Sequence, residues 1–210
     1  MHSISEIKDF SKTKSKIVFD DETFLVVYKG MYKGDPGIME DDEFEALVSD
    51  MISYGKKRAM NLLIKKDYSV KALCKKLEED GYGPMITEKI LEFLNSFHYL
   101  DDLRLAENLI RDNKASKSKA EIRFLLKKRE IPDDVAERAI EEVYLNDAED
   151  NEEKDPEVIA IINQLKKMGM TPEKIGLMEY KDKQKLAAGF YRKGFKSENI
   201  TKTLRLETFE

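Results

Sequence analysis

Asp101 and Asp102 are adjacent carboxylates, a pairing that can hold a metal or share a proton. They stand directly before an apolar-periodic helix, and that position offers a simpler use. Asp101 suits the N-cap, and Asp102 falls in the first turn, where the helix dipole favours negative charge; an alanine at such a cap costs about 1 kcal/mol. The spacing therefore favours capping over catalysis. His2 and His98 are the two histidines, and no clustered cysteine joins them into a metal-ligand set. His2 is expected in a frayed terminus and His98 at a helix end. Cys74 is the single cysteine, placed to fill core on the Leu73/Leu77 side of a helix. Gly81-Tyr82-Gly83-Pro84 lacks the third glycine and the preceding buried strand of a dinucleotide loop, so it reads as a helix stop followed by a proline start. No Gly-x-x-x-x-Gly-Lys-Ser/Thr stretch occurs, nor a Ser-His-Asp set with plausible partners. Neither an enzyme, nor a cofactor, nor a metal is expected.

Charge is the stronger signal. The chain of 210 residues carries a formal net charge of −5, which argues against non-specific coating of nucleic acid. Between Arg104 and Arg129, however, Arg104, Arg111, Lys114, Lys117, Lys119, Arg123, Lys127, Lys128 and Arg129 outnumber Glu107, Asp112 and Glu121. On a helix beginning after Ser118, Lys119, Arg123 and Lys127 recur at i, i+4 and i+8 and form one stripe, while Ile122, Leu125 and Leu126 turn to the core. Arg192 and Lys193 make a smaller patch. A charged helix face is ordinarily just solvated; a continuous cationic stripe beside a basic loop also fits an acidic or polyanionic partner. Both readings stand at this stage.

The elements that would position these residues are mostly helices. Pro84, Pro132, Pro156 and Pro172 occupy first-turn positions, where a missing N–H costs nothing, and Ser118-Lys119-Ala120-Glu121 fits a capping box. Helices are predicted to start near Pro84, Asp101, Ser118, Pro132, Pro156, Pro172 and Ser197, and another near Asp41 or Asp42. Before them, Lys16–Phe19 and Thr23–Tyr28 are β-branched and aromatic runs around Asp20-Asp21-Glu22, a hairpin signal. A hairpin alone is marginal and must lean on a helix or another chain.

The helices repeat. Ser69, Leu73, Leu77, Tyr82, Ile86, Ile90 and Leu94 lie over Ser118, Ile122, Leu126, Ile131, Val135, Ala139 and Val143 at constant offset, and Leu186, Phe190, Phe195 and Leu204 give a weaker third copy. A unit of this size buries its apolar face against its neighbours. The expected fold is mainly α: three tandem three-helix repeats forming an elongated curved body, with a small N-terminal β-hairpin extension. The expected divisions are a 1–55 extension with one helix, repeats at 56–99, 100–146 and 156–210, and an acidic linker at 147–155.

Tyr99-Leu100-Asp101-Asp102-x-Arg104-x-Ala106 closely resembles the central signature of the RecX proteins, regulators of the RecA recombinase. Arg58-Ala59-Met60-Asn61-Leu62-Leu63 with Ser69 to Leu77 resembles that family's first repeat. Ser118 to Val143 resembles its middle repeat, although Glu130 stands where the family commonly has glycine. Lys185-Leu186 through Arg192-Lys193-Gly194-Phe195 resembles its closing element. The likeness runs from about Lys56 to Leu206. It implies a non-enzymatic regulator that lies in the groove of the RecA–DNA filament and restrains filament extension, strand exchange and co-protease activity, in DNA repair and the SOS response. The contacts it would use are Arg104, Arg111, Lys114, Lys117, Lys119, Arg123, Lys127, Arg192 and Lys193, with Asp101 and Asp102 as a repeat-boundary cap. Single- or double-stranded DNA is a further partner to test. The alternatives are a direct nucleic-acid-binding helical module and a helical-repeat scaffold for another partner.

No run is long and apolar enough to cross a bilayer, and Met1 to Asp9 is polar without a signal-peptide core. With a lone cysteine, this leads us to expect a cytoplasmic monomer without membrane contact.

Overall fold

The computed structural model describes residues 1–150 and 155–206. These fall into two compact units, Met1–Asp101 and the chain from Asp102 onward.

The first unit opens with strands β1 (His2–Asp9), β2 (Lys14–Phe19), β3 (Phe24–Tyr28) and β4 (Gly37–Met39). They form an antiparallel sheet in the order β3-β2-β1-β4. The predicted hairpin is its β2–β3 half. The other half corrects the sequence reading: His2 is not in a frayed end but in a paired strand, opposite Met39, with its ring stacked on Phe44 at 3.8 Å. β1 is polar apart from Ile4 and Ile7, so pairing on both sides sets its conformation, not its own composition.

Helices α1 (Asp41–Leu63), α2 (Val70–Glu79) and α3 (Pro84–Ser96) cover one face of this sheet. Ile17, Phe19, Leu25 and Val27 share a single core with Met51, Leu77, Ile90 and Leu94. α1 runs unbroken through residues 55 and 56, where the sequence reading divided extension from first repeat. The reason is close packing. A Cβ on Gly55 would meet Ile90 Cδ1 at 2.3 Å, so this glycine lets α1 and α3 approach and does not end a helix. Lys14, 7% exposed, reaches from β2 to the Asp80 carbonyl at the end of α2 and lies over the rings of Tyr28 (4.9 Å) and Tyr82 (4.4 Å). Burial pulls its pKa below the ordinary lysine value.

The second unit contains α4 (Asp102–Asn113), α5 (Lys119–Lys128) and α6 (Asp133–Asp150), then α7 (Pro156–Lys167), α8 (Pro172–Leu177), α9 (Tyr180–Arg192) and α10 (Ser197–Leu204). The helix starts predicted from proline and serine fall within a residue of those observed. The last group, however, has a fourth helix. α9 begins at Tyr180, after extended backbone at Met178 and Glu179 that no proline announces. The acidic stretch expected as a linker at 147–155 is entered by α6, and its residues 151–154 lie outside the described ones. α4–α6 enclose one apolar core around Ile122 and Leu126; α7–α10 enclose another around Ile161 and Phe190.

Among the described residues six helix ends share one turn. Gly81, His98, Glu130, Gly169, Gly194 and Arg205 take positive φ, at 92°, 54°, 57°, 71°, 78° and 51°. In each case the next residue's N–H bonds a carbonyl five residues back: Tyr82 to Leu77, Tyr99 to Leu94, Ile131 to Leu126, Met170 to Leu165, Phe195 to Phe190, Leu206 to Thr201. This is the Schellman arrangement, which uses carbonyls the helix leaves unpaired.

Candidate partner-binding surface

α5 carries the expected stripe. Ser118 caps it, its hydroxyl accepting from the Glu121 N–H (3.0 Å) while the Glu121 carboxylate accepts from the Ser118 N–H (3.0 Å). Ile122 and Leu126 are fully buried, as the periodicity requires. Leu125 differs from its expected core position: it is half-buried, on the flank of the helix.

The nominated cations do not form one uniform surface. Arg123 makes a two-pronged ion pair with Glu137 at 2.6 and 2.8 Å, which raises the guanidinium pKa and lowers that of the carboxyl. Arg111 pairs with Glu107 at 2.8 Å, one turn back. Lys119 lies over the Tyr144 ring at 4.2 Å. Arg104 and Lys127 are exposed, and Lys114 and Lys117 are half-buried in the loop before α5. Asp101 precedes α4 and Asp102 opens it, the placement that capping needs. Among the described residues no group of three or more His, Cys, Asp or Glu side chains is gathered that could hold a metal.

Three nominated cations do converge. Lys117, Arg192 and Lys193 line a groove of about 510 Å³ together with Ala120, Glu121, Phe124, Leu125, Lys128 and Gly194. The turn after α9 is pressed against α5: a Cβ on Gly194 would meet the Ala120 Cβ at 2.5 Å, and the Ser118 hydroxyl donates to the Lys193 carbonyl. Lys193 Nζ bonds Gln164 Oε1 at 2.5 Å. The floor is apolar, and Phe124 is 71% exposed on it. Sequence reasoning missed Phe124 and left Lys128 out of the contact set. The signal was a large aromatic on the outward face of an amphipathic helix.

It also missed what holds this surface together. Glu157, in the first turn of α7, is 1% exposed. Its carboxylate accepts from the Lys119 N–H of α5 (3.0 Å), the Lys196 N–H before α10 (3.3 Å) and Asn199 Nδ2 (3.2 Å). Three helix N-termini thus meet at one acid, where their dipoles and unpaired N–H groups stabilise negative charge. Asn163 and Gln164 add bonds from α7 to the carbonyls of Ala115 (2.9 Å) and Ser116 (2.7 Å). In sequence, Glu157 shows only as an acid after a helix-starting proline.

A regulatory protein RecX of Prosthecochloris aestuarii is 32% identical to this chain over 149 residues, covering 70% of the chain and 89% of the relative. The chain belongs to the RecX family. A second regulatory protein RecX, from Clostridium acetobutylicum, is 25% identical over 154 residues, 69% of this chain and 71% of its own length. The crystal structure of RecX from Lactobacillus salivarius matches the fold at a TM-score of 0.61 and 21% identity, over 75% of this chain and 96% of that one. Another RecX crystal structure gives 0.58 at 19% identity, covering 99% and 100%. No protein-family model matches. The RecX relatives are named as regulatory proteins, and among the described residues no helix is long and apolar enough to cross a membrane.

Proposed function

We propose that this RecX-family chain is a non-enzymatic regulator of RecA recombinase. It binds along the groove of the RecA–DNA filament and restrains filament extension, strand exchange and co-protease activity by occupancy. The observation that carries this reading is the cation-rimmed, apolar-floored surface of α5 and the α9 turn, on a chain whose formal net charge is −5. An acidic protein that concentrates lysine and arginine on one surface is arranged to meet negative charge there. Arg104, Arg111, Lys114, Lys117, Lys119, Arg123, Lys127, Arg192 and Lys193 remain the contact set, with Lys117, Arg192 and Lys193 at its centre.

The test is RecA-coated single-stranded DNA at near-physiological salt, followed by ATP hydrolysis and by filament length. Loss of both at substoichiometric protein supports the proposal. Unchanged filaments with tight, steeply salt-dependent binding to bare DNA would replace it with a direct nucleic-acid-binding module.

A further inference from the structure

We infer that the α5–α9 groove receives an acidic protein segment bearing one large apolar side chain, which packs on Phe124 inside a ring of lysine and arginine. The inference rests on the proposed function for the partner's biological context and on the groove itself for its chemistry. Phe124 lies outside the apolar cores, and at 71% exposure it leaves a large apolar face in water. Leu125 and Ala120 extend that face along α5. Among the described residues, Lys117, Lys128 and Arg192 have no carboxylate within ion-pair distance. Glu121 is the acid in the lining, and it is committed to the Ser118 N–H. An apolar centre inside a charged rim is the anatomy of a binding hot spot.

The floor favours protein over single-stranded nucleic acid. Strand-binding grooves stack successive bases on several aromatic rings. Here Phe124 is the one aromatic among the described lining residues, and its neighbours are aliphatic. That geometry fits an inserted leucine or phenylalanine flanked by carboxylates. Rim charge then sets salt dependence and the apolar anchor sets residence.

The experiment uses the full chain and a fluorescein-labelled peptide of aspartate and glutamate around a central Leu-Phe, read by fluorescence anisotropy, with oligo-dT as the second probe. Saturable peptide binding that weakens with salt is expected. Phe124→Ala should lower affinity about tenfold and Lys128→Glu about fivefold, the range of hot-spot and rim substitutions. Lys71→Glu, the same charge change at an exposed position of α2, should leave it unaltered. Circular dichroism checks that the exposed substitutions leave the helices intact. The inference is overturned if the peptide does not bind, if Phe124→Ala and Lys128→Glu bind it as well as the parent, or if oligo-dT binds more tightly and the same variants weaken it. The RecA filament assay separates the two claims. A parent protein that leaves RecA untouched sinks the proposed function while the anisotropy still decides the groove. A parent that regulates RecA, beside groove variants that regulate equally well, sinks the groove alone.

Discussion

Glu130 occupies a position that the other shared helix turns mostly give to glycine. Its φ is 57°, and the Ile131 N–H behind it bonds the Leu126 carbonyl at 3.2 Å, so the left-handed conformation is locked into the end of α5. Holding an L-residue there costs about 1–2 kcal/mol. Glycine would remove that cost and give back about 0.5–1 kcal/mol through the greater freedom of its unfolded chain. Glu130→Gly should therefore stabilise the protein by about 0.5–1 kcal/mol, a rise of about 1–4 °C in unfolding midpoint for a protein of this size. Glu130 makes a further interaction, so the clean comparison is with Glu130→Ala, which removes the carboxylate and keeps the backbone strain. Thermal and urea unfolding should rank Gly above Ala by about 1 kcal/mol. Equal stability of the Gly and Ala variants, or a less stable Gly variant, would refute the argument.

Two further outcomes follow from buried charge. Glu157→Gln puts an amide N–H where a carboxylate now accepts from α5 and α10, leaving one buried N–H unpaired; urea unfolding should show a loss of about 1–3 kcal/mol, and a change below about 0.5 kcal/mol would mean that water or rearrangement satisfies the site. For Lys14, the folded-state pKa lies below the ordinary 10.5 because burial disfavours the ammonium, so between those two values the unfolded chain binds the extra proton and stability rises with pH. Lys14→Met should flatten that rise relative to the parent in unfolding measurements from neutral pH to 10.5; parallel pH profiles would contradict it.

Helix starts were legible because they are written locally. Proline at the first turn and Ser118 with Glu121 three residues on are complete signals within one turn, and the structure places α3, α5, α7 and α8 accordingly. Strand β1 was not legible, since its conformation depends on β2 and β4. The basic stripe was visible as spacing, but its neutralisation was not: Glu137, which pairs with Arg123, lies on the next helix, and only the fold brings the two within 2.6 Å. Phe124 and Lys128 were readable as an outward face, yet their meeting with Arg192 and Lys193 needs the close contact of Gly194 with Ala120. Local chemistry specifies where elements begin and end; which charges stay uncompensated is decided by long-range packing.

The joint at Glu157 bears on how the second unit comes apart. Among the described residues the cores around Leu126 and Phe190 share no apolar cluster, and side chain to backbone bonds at Glu157, Ser118, Asn163 and Gln164 link them. Each core is thus a block closed on its own, and those polar contacts, together with the close packing of Gly194 on Ala120, couple the two. Weakening the joint lets one block open while the other stays closed. The α5–α9 groove straddles that seam, so its walls belong to different blocks and its width follows the coupling between them, not the stability of either.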